Sequence, residues 1–156
     1  MKWSVVLTEF PPSINRLYFS LPRGGKAMTT DGRRFQSHTV SKLHDTWGPM
    51  LKGFDANKPY AVTVTVFFPS ILNKGWPGKA QQRFKKRDAT NLIKLLEDTL
   101  AKAIGVDDAN FLSFTIRKYQ DPKNPRIEVM IEDTEDQYGE AAEDQEEQED
   151  PDHAEE

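Results

Sequence analysis

Apolar positions recur along this chain with a period of two in some stretches and near 3.6 in others, and these stretches predict its elements. Trp3–Phe10 reads as a strand around Val5, Val6 and Leu7, stopped by Pro11-Pro12. Leu21–Arg34, with three glycines, several bases and little apolar content, reads as a mobile, positively charged loop. Ser37 is placed to cap a helix through about Leu51, with Val40, Leu43, Trp47, Met50 and Leu51 as its buried stripe and Gly48-Pro49 shortening or kinking it. Tyr60–Phe68 alternates most clearly, Tyr60, Val62, Val64, Val66 and Phe68 against Ala61, Thr63, Thr65 and Phe67, and Pro69 closes it. A second basic loop follows over Ser70–Gln82.

A helix over Thr90–Ile104 then returns Leu92, Leu95, Leu96, Leu100, Ala103 and Ile104 to one face, and Gly105 ends it. Phe111–Tyr119 and Arg126–Glu132, joined by a turn over Asp121–Pro125, read as a β-hairpin. The order β-α-β-α-β-β implies a single α+β domain, one mixed sheet with two helices packed on it.

Composition changes this picture in two ways. The 156 residues suit one domain, and the absence of cysteine excludes disulfides, thiolate zinc sites and a cysteine nucleophile. With no apolar run of transmembrane length and no signal-peptide pattern at the start, a cytoplasmic, membrane-free protein is expected. The net charge of -4 averages two unlike segments. Residues 133–156 carry thirteen acids and no Lys or Arg and read as a disordered acidic tail. Residues 1–132 keep the other 12 acids against all 21 bases, a charge of +9. A domain that basic expects a polyanion, most simply nucleic acid.

The stretch from Arg83 to Asp108 concentrates the chemistry. Arg83, Lys85, Lys86 and Arg87 run directly into Asp88 at the start of the second helix, and Asp107-Asp108 stand just past its end. Hydrolysis of a phosphodiester requires a nucleophilic water, neutralisation of the pentacovalent charge and help for the leaving oxygen, and Mg2+ held by clustered carboxylates can supply all three. Asp88, Asp107 and Asp108 are the candidate ligands, Asn91 a supporting polar group, and Lys94 the candidate cation at the phosphate. The plain reading is also open: Asp88 as a helix cap, Asp107-Asp108 as a polar turn, and Glu97 and Asp98 as mid-helix surface or structural acids. Lys74, Trp76 and Lys79 in the second loop are expected to grip DNA, the indole by stacking on an unpaired base; the equal alternative for Trp76 is that it folds back onto the core.

Length adds a constraint. A 15-residue helix is roughly 22 Å long, and the four residues that follow reach at most about 14 Å. Asp88 and Asp108 of one chain are therefore not expected to meet around an intact helix. Two antiparallel helices from two copies would bring them together, so a homodimer with composite sites is expected.

Four elements occur in the order and spacing of a known family: PPSIN-x-x-Y at Pro11–Tyr18, RD-x-x-N-x-x-K at Arg87–Lys94, Glu97-Asp98 with Leu100, and G-x-DD at Gly105–Asp108. Over roughly Phe10–Ile131 the chain resembles the RusA-type Holliday junction resolvases, which are often carried by phages and prophages. The resemblance implies a dimeric, Mg2+-dependent endonuclease that cuts paired strands at four-way DNA junctions, and Mn2+ is the expected substitute ion where Thr90 weakens the site. It implies metal-binding roles for Asp88 and the Asp107-Asp108 pair, a supporting role for Asn91, and a catalytic one for Lys94. From the basic loops and the basic cluster, Asn15, Arg16, Lys26, Arg33, Arg34, Arg83, Lys85, Lys86 and Arg87 are the expected DNA contacts. Where the family pattern has a second acid, this chain has Thr90, which offers a hydroxyl without charge. A non-catalytic binder of branched or single-stranded DNA, disabled at Thr90, is the alternative.

Overall fold

The computed structural model describes residues 1–134. Strands β1 (Lys2–Leu7), β2 (Tyr18–Ser20) and β3 (Lys26–Met28) lead into helix α1 (Thr30–Trp47). Strand β4 (Tyr60–Phe68), helix α2 (Thr90–Ile104), and strands β5 (Phe111–Gln120) and β6 (Arg126–Asp133) follow. The main sheet has the order β1-β6-β4-β5, and β2 and β3 form a separate two-stranded ribbon.

The α+β class with two helices and a mixed sheet is as expected, but the order β-α-β-α-β-β is not, because the β2–β3 ribbon adds two strands before α1, and two further features also differ. Strands β5 and β6 do not pair as a hairpin. Strand β4 lies between them, parallel to β5 through Val62 beside Phe114 and antiparallel to β6 through Val62 beside Ile131. The Asp121–Pro125 turn therefore crosses the end of β4, where the Asp121 amide donates to the Phe68 carbonyl at 2.8 Å. The physical reason lies in β4, whose Tyr60, Val62, Val64, Val66 and Phe68 side chains are all buried, so the strand takes the centre.

The second departure is α1, which begins at Thr30, seven residues before the expected cap at Ser37. Thr29 is the cap, and its hydroxyl accepts from the Gly32 amide at 3.3 Å. The expected loop over Leu21–Arg34 is thus mostly ribbon and helix. Gly32 reads as a helix breaker, yet a Cβ there would stand 2.7 Å from both Leu17 and Met28. Glycine lets the helix lie directly on the segment before it. Helix α1 does end at Trp47, and Gly48 at φ 43° turns the chain out. Of the expected stripe, Leu43 and Trp47 are buried and Met50 is exposed.

One core joins the buried face of the sheet to both helices. Trp3, Val5 and Leu7 of β1 and Ile127, Val129 and Ile131 of β6 meet Phe35, Leu43 and Trp47 of α1 and Leu95, Leu96, Leu100 and Ile104 of α2. The buried indoles are satisfied, Trp47 donating to the Ser4 carbonyl at 2.9 Å and Trp3 to that of Met50 at 3.3 Å. Full burial of each large side chain contributes about 1.5–3 kcal/mol, so α2 is held firmly by its apolar face and offers its polar face as a rigid support. The acidic tail expected from Asp133 onward lies outside the described residues, except that Asp133 closes β6 and the Thr134 amide donates to the Pro59 carbonyl at 3.1 Å. Among the described residues no helix is long and apolar enough to cross a membrane.

Candidate active site

Helix α2 spans the range its periodicity predicts, and its exposed face carries Lys94, Glu97 and Asp98 at spacings of three and four, which stack on one side. Gly105 adopts the left-handed conformation at φ 71° and stops the helix, a reversal that glycine makes at no steric cost. The chain after it does not run straight on. It folds back along α2 into a short 3-10 turn, Asp108–Asn110, whose first free amide, that of Ala109, donates to the Asp107 carboxylate at 2.9 Å. Asn110 anchors the turn by donating to the carbonyls of Ala56 at 2.8 Å and Lys58 at 2.9 Å.

This fold-back carries Asp108 to the flank of the helix. Glu97, Asp98 and Asp108 each present an oxygen within 4.8 Å of the others. The Lys94 ammonium lies among them, 2.9 Å from Asp98, 3.4 Å from Asp108 and 3.8 Å from Glu97. Its pKa is pushed far up, first by the hydrogen bond to Asp98 and further by the neighbouring carboxylates, against a smaller opposing effect of burial. Glu97 moves up from the usual carboxylate range because burial disfavours its charged form more than Lys94 favours it. The donor set is all carboxylate oxygen, the ligand type that a hard divalent ion takes, and here it is ion-paired with the Lys94 ammonium.

The expected ligands are divided by the structure. Asp108 joins the cluster; Asp107 caps the turn beneath it; Asp88 stands just ahead of the first turn of α2 and outside the cluster. There Asp88 accepts from the Thr90 amide at 3.1 Å and from the Thr90 hydroxyl. These contacts, the hydroxyl's first, hold the Asp88 carboxyl below its ordinary range, with a smaller contribution from the positive charge of Lys118. The Lys118 ammonium also donates to the Arg87 carbonyl at 3.0 Å. Asn91 lies half-buried in the first turn of the helix.

Glu97 and Asp98, read from sequence as surface or structural acids, are the cluster members that reasoning missed. The spacing from Lys94 carries the signal, but only the fold-back of Asp108 makes it a cluster. The length argument set Asp108 a helix length away from Asp88, but the fold-back after Gly105 returns Asp108 to Lys94 in the second turn of the helix, so its premise does not hold.

Residues 11–132 match the family described as Endodeoxyribonuclease RusA. The chain belongs to the RusA family. No curated protein gives a significant match to it. The RusA match takes in the carboxylate cluster, Asp88 and every basic segment singled out in the sequence, so all of them belong to an endodeoxyribonuclease fold.

Around this RusA site the expected DNA contacts fall into two groups. Asn15 and Arg16 sit on an exposed 3-10 turn that packs against α2, and Lys26 lies on the nearby ribbon beside a groove lined by Ile14, Asn15, Tyr18 and Phe19. Arg33 donates to the Met28 carbonyl at 2.7 Å, and Arg34 lies 3.9 Å from Glu9 and 3.7 Å from Asp31, so both bases also brace their own surroundings. The second group stands on the excursion between β4 and α2. Lys74, Lys79 and Lys86 are exposed, Lys85 donates to Ser70 at 3.0 Å, and Arg87 stacks 5.5 Å over the Phe68 ring. Trp76 is exposed and has not folded back onto the core.

Proposed function

We propose that this protein is a Holliday junction resolvase, a divalent-metal-dependent endonuclease that cuts four-way DNA junctions in recombination and repair, acting as a homodimer. The observation that carries the reading is the convergence of Glu97, Asp98 and Asp108 around Lys94 on the rigid face of α2, in a chain of the RusA endodeoxyribonuclease family.

Glu97, Asp98 and Asp108 would hold the metal, with Asp107 fixing the turn that presents Asp108. When bound, Mg2+ or Mn2+ supplies Lewis acidity at a phosphoryl oxygen and an acidified water. Lys94, with its raised pKa, stays an ammonium at neutral pH and is unsuited to take a proton. Its part is a fixed positive charge for the developing charge on the phosphate oxygens. Lys79, Lys86 and the remaining bases of the 74–87 excursion hold the DNA backbone. The homodimer would carry two such sites, one for each strand to be cut.

A second reading, a binder of branched or single-stranded DNA without nuclease activity, is favoured by one observation. Thr90 stands at the position of the family pattern's second acid, and its hydroxyl and amide both engage Asp88. A cleavage assay separates the two readings: a synthetic four-way junction and a linear duplex, each with Mg2+, Mn2+ or neither, for wild type and Asp108→Asn. Paired, metal-dependent nicks on the junction, reduced about 10²–10³-fold in the variant, are expected. Tight junction binding with no nicks under any metal would establish the binder.

A further inference from the structure

From Pro69 to Arg87 the chain carries Lys74, Lys79, Arg83, Lys85, Lys86 and Arg87 and no carboxylate. The same excursion exposes two large rings, Trp76 at 46% and Phe84 at 55%. Both flank one guanidinium: Arg83 Cζ lies 5.6 Å from the Trp76 centroid and 5.4 Å from that of Phe84. Ring, planar cation and ring thus form a single π-rich surface in contact with solvent.

The backbone beneath it is fixed. The Asn73 amide donates to the Arg83 carbonyl at 2.9 Å, and its side chain donates to the carbonyls of Gln82 at 2.7 Å and Phe84 at 3.2 Å. Lys85 returns the bond to the Ile71 carbonyl at 2.8 Å, and the Ile71 amide is held by the Gln120 side chain at 2.9 Å. Beside Phe84 the surface is concave, lined by Gln81, Gln82, Lys85 and Lys86. The side-chain amides of Gln81 and Gln82 make no hydrogen bond to the described residues.

We propose that Trp76, Arg83 and Phe84 form a stacking platform for an unpaired nucleobase of a DNA strand, with Gln81 and Gln82 reading the edge of the base and Lys85 and Lys86 taking the flanking phosphates. This deepens the branched-DNA reading and rests on it. A paired base has no free face to offer, whereas a branch point or a single strand does, so the platform separates branched from linear DNA. A partner protein docking on exposed rings would be met by six cations and no acid, which suits a polyanion. Free amides beside the stack can discriminate one base from another, as they do wherever unstacked bases are read by their edges.

Intrinsic fluorescence tests this directly, because Trp3 and Trp47 are only 2% and 1% exposed and Trp76 is the remaining one of the three tryptophans. The full chain in EDTA would be titrated with a four-way junction, the same junction abasic at its branch-flanking nucleotides, a single strand, and a linear duplex. The intact junction and the single strand are expected to quench Trp76 emission; the duplex and the abasic junction are expected to bind with little quenching. By anisotropy of labelled DNA, Trp76→Ala and Phe84→Ala should each weaken single-strand binding about five- to tenfold and leave duplex binding within about twofold. Equal quenching by duplex and abasic DNA would overturn the platform and leave backbone contacts only. A sedimentation shift in Phe84→Ala with unaltered single-strand affinity would also overturn it, making the rings an interface between copies. Base-dependent quenching without nicking once Mg2+ is added would support the platform while removing the nuclease reading.

Discussion

The polar face of α2 and the excursion that precedes it are neighbours in sequence and opposites in construction. On α2 the charged groups are placed by the helix itself. Lys94, Glu97 and Asp98 are fixed by spacing, while Leu95, Leu96 and Leu100, all buried, hold the helix against the sheet. Between β4 and α2 the cations and rings are placed by a handful of hydrogen bonds centred on Asn73 and Ile71. The first arrangement suits chemistry, which needs groups fixed in geometry. The second suits a grip on DNA, in which exposed cations and rings can adjust to a bent or branched partner over a backbone that is tied down.

The difference can be broken from either side. Leu100→Ala, at a fully buried position, should destabilise the whole domain by about 2–5 kcal/mol, read as a lower denaturant midpoint. A loss below about 1 kcal/mol would mean that α2 is not the rigid support described. Substituting Lys79 and Lys86 with alanine should leave the midpoint almost unchanged, since both are exposed. It should flatten the dependence of DNA affinity on salt by roughly 2 in the log–log slope. An unchanged slope would take these lysines off the phosphate backbone.

The smallest effect concerns Asp88. Its folded pKa lies below the ordinary value chiefly because of the Thr90 hydroxyl, so the stabilisation is complete above the unfolded carboxylate value and is lost as pH falls through the depressed one. Thr90→Val should raise the Asp88 titration seen by NMR toward the ordinary range and shift the acid limb of stability the same way. If Asp88 titrates identically in the variant, the hydroxyl is not what holds it.

How far the sequence foretold this follows from where the information sits. Helix α2 and strand β4 were legible because burial writes a period into each, and Gly105 marks the stop. Helix α1 was misplaced because Gly32, an apparent breaker, is required by the close approach of Leu17 and Met28, which only the fold reveals. The β5–β6 hairpin was misread because strands adjacent in sequence usually pair, and nothing local says that β4 takes the place between them. The carboxylate cluster was half legible. Asp108 and Lys94 stood out, whereas Glu97 and Asp98 needed the reversal after Gly105 to acquire a third partner.

That reversal has a consequence of its own. A helix carried on through Gly105 would take Asp108 away from Lys94, so terminating α2 and assembling the cluster are one event. By linkage, whatever cation binds Asp108 together with Glu97 and Asp98 also favours the left-handed turn at Gly105 over a longer helix. The C-terminal end of α2 should therefore fray less, by amide hydrogen exchange at Ala103 to Val106, as divalent ion is added. The punctuation of the helix becomes a gauge of what its side chains hold.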